Sequence, residues 1–421
     1  MTDPPIRPSM APMKFLHTAD LHLGRTFHER SLVEDQEYLL AILADELAAD
    51  DYAALVVSGD VYDRSIPSID AVNLLGTFLA RIRLRFPALA VLLISGNHDS
   101  ADRLGYADSL FSKLGIHIGS DAEKAFDPVV VEKDGERVAF FLLPFLAPGC
   151  LRGSSPELAT AELATAGLAS AEPLRSQADL AAEAASRLAI AREAAGKAGA
   201  TATVLVAHLF ASGGEESESE RVFLGTAERV EAGLFGGFDY VALGHLHRSQ
   251  RVAPNAWYPG SPLAYSFDEA DRKRVFLSVG VGRDGDGDAC AVRPIAVLPK
   301  RVLRRLKGAF EEFNAPGAFS AFREDYLEIV LTGRRLVENP LVLLRTRYPY
   351  LLSIRQDEAL QAMEAAKDAR FAGLDGVSRR EGRRGAADDF ALFLGELYGR
   401  ADPAKLALFE TIAREAEHET A

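Results

Sequence analysis

The chain has 421 residues, 48% of them hydrophobic, and a formal net charge of -14 at pH 7. That is more chain than one core ordinarily serves, so two or more units are expected, at roughly 100 to 200 residues each. The acidic balance excludes nucleic-acid binding by bulk electrostatics, which relies on lysine and arginine neutralising phosphates, and leaves it to local patches or bound cations. Two distant cysteines, Cys150 and Cys290, exclude thiolate zinc sites and a disulfide framework. The absence of a Gly-x-x-x-x-Gly-Lys-Ser/Thr loop excludes ATP hydrolysis through one.

Residues 1–12 carry four prolines and no periodicity, which reads as a disordered extension with Met13 as a candidate start. No apolar run approaches the roughly 20 residues of a membrane span, and no signal peptide precedes Met13, so a cytoplasmic protein without membrane contact is expected. From Lys14, apolar strand-like runs alternate with amphipathic segments at Gln36–Leu47 and Asp70–Arg85, the latter with Ser68 as a cap. This is the pattern of an α/β layer structure. Residues 155–200 are alanine-dominated and divided by Pro173; with so thin a stripe (Leu158, Leu163, Leu168, Leu180, Leu188, Ile190) they read as a peripheral helical insertion. The loop Ser212–Ser217 reads as acidic and flexible, and Gly282–Asp288 as a hairpin turn after the strand Val275–Val281. Strands at Tyr326–Leu331 and Leu351–Ile354 flank a helix around Leu341–Arg347, which predicts a small separate α/β unit. Arg379–Gly385 reads as a hinge. Beyond it, Asp388–Tyr398 and Pro403–Glu417 predict two amphipathic helices whose apolar residues, Phe390, Leu394, Phe409 and Ile412 among them, imply a partner.

Five apolar runs each end in a residue type that binds metals. Phe15–Ala19 leads into Asp20 and His22, Leu55–Gly59 into Asp60, Val91–Ile94 into Asn97 and His98, Val204–Ala207 into His208, and Tyr240–Gly244 into His245 and His247. Any one of these residues taken alone is explained by packing or by a turn. Yet five of the nine histidines directly follow such a strand, where sheets ordinarily present their ligands. Imidazole and carboxylate without thiolate suit manganese, iron, cobalt or zinc better than magnesium. Seven ligands are too many for one ion, and a carboxylate such as Asp60 can bridge two. His98 is then free for proton transfer to a leaving oxygen.

In this order, Asp20-x-His22, Gly59-Asp60-x-x-Asp63, Gly96-Asn97-His98-Asp99 and Gly244-His245-x-His247 resemble the calcineurin-like metallophosphoesterases. The wider wording, including His17-Thr18-Ala19 and Gly260–Glu269, resembles the nuclease subunits of bacterial nuclease–ATPase complexes of the SbcCD type. The resemblance implies one manganese ion on Asp20, His22, Asp60 and His247, a second on Asp60, Asn97, His208 and His245, and His98 as the catalytic histidine. Related nucleases have histidine where this chain has Asp63, so that side chain's role is not carried over; Asp63, Asp99 and His17 are given supporting places. The implied fold is an α/β two-sheet sandwich flanked by helices over residues 13–297, a small capping domain over 298–357, and a hinge and helical tail over 358–421. The implied activity is 3'-5' exonuclease action on double-stranded DNA and endonuclease action on single strands, in repair and hairpin processing. The implied partners are DNA, the SbcC-type ATPase subunit that the tail binds, and a second copy, giving a homodimer within a heterotetramer. Two other readings stand beside this one: a stand-alone phosphatase or cyclic phosphodiesterase, against which the cap and tail argue, and a metal-free scaffold, against which the complete ligand set argues.

Overall fold

The computed structural model describes residues 12–152, 174–215, 229–270, 272–282, 290–333, 335–361, 390, 391, 394 and 403–419. The expected extension thus lies, but for Pro12, outside the described residues, as does the Arg379–Gly385 hinge.

The chain opens on β1 (Met13–Thr18), and the short hairpin β2 (Thr26–Phe27) and β3 (Arg30–Ser31) leads to α1 (Val33–Ala49). There follow β4 (Ala54–Val57), α2 (Ile69–Arg85), β5 (Ala90–Ile94), the short α3 (Ala101–Leu104) and α4 (Asp108–Phe111), and β6 (Ile116–Gly119). β1, β4, β5 and β6 run parallel, as strand–helix–strand crossovers require. α2 starts where predicted, with the Ser68 hydroxyl accepting the Ala71 N–H at 3.2 Å. It buries Ala71, Leu75, Phe78, Leu79 and Ile82, one helical stripe.

A second sheet is built from β7 (Val129–Lys133), β8 (Glu136–Leu143), then α5 (Gln177–Lys197), β9 (Ala202–His208), β10 (Tyr240–Gly244), β11 (Gln250–Ala253) and β12 (Ala256–Tyr258), in the order β11-β12-β10-β9-β8-β7. β13 (Val275–Val281) returns to pair antiparallel with β1, and β14 (Cys290–Ala296) pairs with β13, so the first sheet reads β14-β13-β1-β4-β5-β6. Cys290 pairs with Val281, which makes the pair a hairpin whose turn lies outside the described residues.

The sheets face each other through Phe15, Val56, Leu92 and Leu277 on one side and Phe140, Val204, Val206 and Tyr240 on the other. Phe15 meets Phe140 and Tyr240 edge-on, at 5.4 and 5.6 Å. The alternate residues Leu16, Leu55, Val57 and Leu93 turn outward to α1 and α2, so the strands are buried on both faces and their sequences are continuously apolar. This is the two-sheet sandwich flanked by helices.

The alanine-rich segment is not a peripheral insertion where it is described. α5 buries Leu180, Ala181, Ala184 and Leu188 completely against Phe141, Leu205 and Leu243 of the second sheet. Its alanines let the helix lie close to the strands, so burial comes from proximity and not from a wide leucine stripe. Residues 153–173, with Leu158, Leu163, Leu168 and Pro173, lie outside the described residues.

The predicted strands near 326 and 351 are present as β16 (Tyr326–Leu331) and β17 (Leu351–Arg355), parallel and beside a further strand, β15 (Leu303–Gly308); the helix between them runs Pro340–Arg345. The reading of this part as a separate unit is corrected. Leu303, Tyr326 and Leu352 belong to the core that holds α1, and the Tyr326 hydroxyl donates to Asp35 of α1 at 2.6 Å. Three strands and the short helices between them leave an apolar face that the larger body covers. The chain divides into two compact units, Met1–Val330 with Asn339–Arg355, and Leu331–Glu338 with Gln356–Ala421. In the second, a helix spans Pro403–Glu419, Phe390 stacks on Phe409 at 4.2 Å, and Leu408 and Ile412 are 61% and 56% exposed.

Candidate metal centre

The carboxyl ends of β1, β4 and β5 in one sheet and of β9 and β10 in the other bring all seven predicted ligands together. The loops after β1 and β4 are tied by backbone bonds, Asp20 N–H to Gly59 O at 3.1 Å and His22 N–H to Asp60 O at 2.9 Å. Asp20, His22, Asp60 and His245 all adopt positive φ, at 53°, 43°, 47° and 109°. Such backbone costs of order 1–3 kcal/mol per residue and persists only where the surroundings enforce it. Gly59 has φ 88°, and a Cβ there would lie 2.3 Å from His208 Nδ1; a Cβ on Gly96 would lie 2.1 Å from Asp60 Oδ1. Both motif glycines therefore make room for His208 and Asp60.

The donor atoms form two overlapping groups that meet at Asp60 and Asp20, the latter clustering with His22 and His247 and also with Asp60 and His208. In the first, His22 Nε2 lies 3.2 Å from His247 Nε2 and 3.6 Å from Asp60 Oδ2. Asp20, whose carboxylate accepts the His245 N–H at 3.0 Å, clusters with the same two imidazoles. In the second, His208 Nε2 lies 2.9 Å from Asn97 Oδ1 and 3.6 Å from Asp60 Oδ1, and His245 Nδ1 lies 3.0 Å from Asn97 Oδ1. Burial, then neighbouring charges, hold His22 well below its ordinary pKa. Burial pushes His245 down to about 3, aided by His208. It also lowers His208, against the opposing pull of Asp60. Burial alone would raise Asp60, but His208, His98 and the His98 N–H outweigh it and lower its pKa. Neutral imidazoles around an anionic carboxylate are the state in which such residues bind cations.

His98 belongs to neither group. Its Nδ1 lies 3.0 Å from the Asp63 carbonyl, which can only accept, so Nδ1 carries the proton and Nε2 faces the site, 3.9 Å from Asp60 Oδ2. Its side chain is 12% exposed against 0–5% for His22, His208, His247 and Asp60. Asp63 stands 3.7 Å from His22 Nδ1 and accepts Arg25 at 2.8 Å. Asp99 accepts the Val61, Tyr62 and Gly96 N–H groups at 2.8–3.0 Å and so locks the second motif to the third. Burial, then the Asp60 charge, push its pKa up to about 7 against those N–H groups. His17 packs behind the centre, bonded to Tyr240 Oη and Ser58 Oγ at 3.0 and 2.9 Å.

Sequence reasoning did not single out Arg25, Gln36, Ser58 or Glu269. Gln36 holds the first motif by donating to His22 O at 2.7 Å and accepting the Gly24 N–H at 2.9 Å. Ser58 O receives His208 Nδ1–H at 2.9 Å. Glu269 stands behind His247, 3.3 Å from Nδ1.

The family model described as "Calcineurin-like phosphoesterase" matches residues 13–249, more than half of the chain and a span that holds all seven candidate ligands. The chain belongs to this family. A solved structure, the calcineurin-like phosphoesterase YfkN from Bacillus subtilis, matches this phosphoesterase at 12% identity over 68% of this chain and 91% of that one, with a TM-score of 0.40, a likeness too distant to carry argument. The family uses a dinuclear metal site, and the donor set of this phosphoesterase fits one. With Nδ1 protonated toward Ser58, neutral His208 turns the Nε2 lone pair on Asn97 Oδ1, itself an acceptor, at 2.9 Å. A cation converts that opposition into shared coordination. Among the described residues, no helix of the phosphoesterase is long and apolar enough to cross a membrane.

Proposed function

We propose that this phosphoesterase is a manganese-dependent DNA nuclease of the SbcCD type, cutting double-stranded ends exonucleolytically and single strands endonucleolytically, under the control of an SbcC-type ATPase subunit. The observation that carries it is the pair of donor groups sharing Asp60, with His98 on their more open side. Asp20, His22, Asp60 and His247 would hold one ion, and Asp60, Asn97, His208 and His245 the other. Thiolate-free imidazole, amide and carboxylate ligation suits manganese. When bound there, two cations would supply positive charge for a phosphoryl group and lower the pKa of a water. The protein's own residues do the rest. Asp63 O fixes the His98 tautomer, Arg25 steadies Asp63, and His98 Nε2, when protonated, donates to the sugar alkoxide as it leaves. Asp99 keeps the loop that carries Asn97 and His98 seated against Asp60's loop.

The exposed apolar tail supports an ATPase partner, since a stand-alone phosphoesterase acting on a small molecule needs none. A homodimer in a cytoplasmic heterotetramer completes the proposal. Its face would be Ile66, Ile69 and Val72 together with Tyr106 and Leu110, all exposed apolar residues on neighbouring segments that Arg103 ties together by donating to Ser65 O at 2.8 Å. The test is cleavage of a labelled hairpin duplex with Mn2+, with and without the purified ATPase partner. Metal-dependent cutting that the ATPase extends is expected. Rapid turnover of a small phosphodiester with DNA left intact would overturn the proposal.

A further inference from the structure

We infer that Glu269 is a positioning residue for the metal centre, an anionic hydrogen-bond acceptor that orients His247 and strengthens it as a ligand for one of two ions. This rests on the reading of His247 as a ligand. Glu269 is fully buried and is paired with Arg274, only 6% exposed. Its Oε1 lies 3.3 Å from His247 Nδ1 and accepts the Ser266 hydroxyl at 3.1 Å, while Oε2 accepts the Tyr265 N–H at 3.2 Å and the Arg274 guanidinium at 3.1 Å. A carboxylate held by a guanidinium and a backbone N–H is an acceptor only. His247 therefore carries its proton on Nδ1 and turns the Nε2 lone pair toward His22 Nε2, 3.2 Å away. Arg274 also reaches the His247 carbonyl at 3.4 Å and Ser261 O and Oγ at 3.3 and 3.1 Å, so the same ion pair fixes the backbone and the ring of one ligand.

The two donor groups differ here. His208, in the other group, has its Nδ1–H bound to the Ser58 carbonyl, a neutral acceptor. A carboxylate behind an imidazole raises its basicity, which a carbonyl does to a smaller degree, and loss of such a partner typically costs about 10- to 100-fold in metal affinity. The bland reading is that the ion pair merely fastens the 261–269 loop, and it predicts a different result.

The experiment titrates Mn2+ into the metal-free full-length chain by calorimetry, with thermal melts as the check on folding. Glu269→Gln keeps the shape and removes the charge, so one of the two Mn2+ sites should weaken about 10- to 100-fold while the other is unchanged. Ser261→Ala, which loosens the loop without touching the ring, should leave both affinities alone. Unchanged binding in a folded Glu269→Gln, equal weakening of both sites, or an equal effect of Ser261→Ala would overturn the proposal. If Glu269→Gln does not fold, Glu269→Asp, which keeps the charge but withdraws it from the ring, should weaken the same single site. Unaltered affinity there, or failure of that variant to fold as well, assigns the carboxylate to structure alone. A wild type that binds two Mn2+ ions but cuts no DNA would overturn the nuclease reading and leave this one standing.

Discussion

Replacing His98 by asparagine separates chemistry from binding. The wild-type imidazole donates Nδ1–H to Asp63 O at 3.0 Å and keeps Nε2 3.9 Å from Asp60 Oδ2, too far for a hydrogen bond. What His98 does give Asp60 is its backbone N–H, at 2.9 Å, and that bond survives any side-chain change. Metal content should therefore stay at the wild-type value. Stability should fall by about 1 kcal/mol, the usual net worth of the lost bond to Asp63. Cleavage should fall about 10²- to 10⁴-fold, the usual contribution of a positioned acid, which is about 3 to 5 kcal/mol of transition-state stabilisation. Single-turnover cleavage of a labelled duplex at saturating Mn2+, beside elemental analysis of the dialysed protein, reads both quantities. A variant that cuts at the wild-type rate removes His98 from the mechanism. One that loses an ion makes it a ligand in company with His22 and Asp63, with which it also clusters.

Asp60→Asn should lose both ions, because Asp60 Oδ1 and Oδ2 face different donor groups, whereas His208→Ala should chiefly lose one; stoichiometry by calorimetry decides. The metal-free protein should be labile to acid. Burial holds His17 and His245 at about 3 and lowers His22 and His208, so the unfolded chain takes up more protons once pH drops below 6.5. Their contribution to stability is thus present above pH 6.5 and lost as pH falls toward 3, with Asp99 opposing it; melts of the metal-free chain at pH 7.5 and 5 test the sign. Removing residues 386–421 should abolish co-purification with the ATPase subunit and leave Mn2+-dependent cutting of single strands; retained co-purification would place the partner's site elsewhere.

The clustering of the seven candidate ligands was legible because chemically apt residues stand at the ends of five apolar runs, a coincidence visible without any fold. Which sheet each run joins was not legible. β4 and β9 are both buried on two faces, so both read as continuous apolar sequence. β15 was missed because Leu303–Gly308 holds Arg304, Arg305 and Lys307, a poor strand pattern. Asp325 and Glu328 on the adjoining segment and strand pair with Arg304 and Arg305, and supply what the pattern lacks. α5 was undervalued because its stripe was weighed by leucines, and the alanines that bring it to the sheet look inert in sequence. Glu269 lay within a motif already in view, but nothing in its spacing says that the 260–269 loop folds back onto His247.

The charge of -14 and the proposed substrate meet at the centre itself. Of the seven candidate ligands only Asp20 and Asp60 are anionic, so two divalent cations there would leave a local excess of two positive charges, four less two. An acidic protein then holds a phosphodiester through a confined, metal-dependent patch and not through a basic surface. Each phosphate contact neutralised by lysine or arginine steepens the fall of log affinity with log salt by about 0.9, so surface-driven binders with about 6 to 10 such contacts reach slopes of about 5 to 9. For this chain, binding to a DNA end should show a slope of about 2 or less, and the affinity should collapse on chelation. Fluorescence anisotropy of the His98→Asn chain, which holds metal without cutting, measures both across a salt series. A steep slope that persists in chelator would place DNA on arginines and lysines away from the centre, and the confinement argument would fail with it.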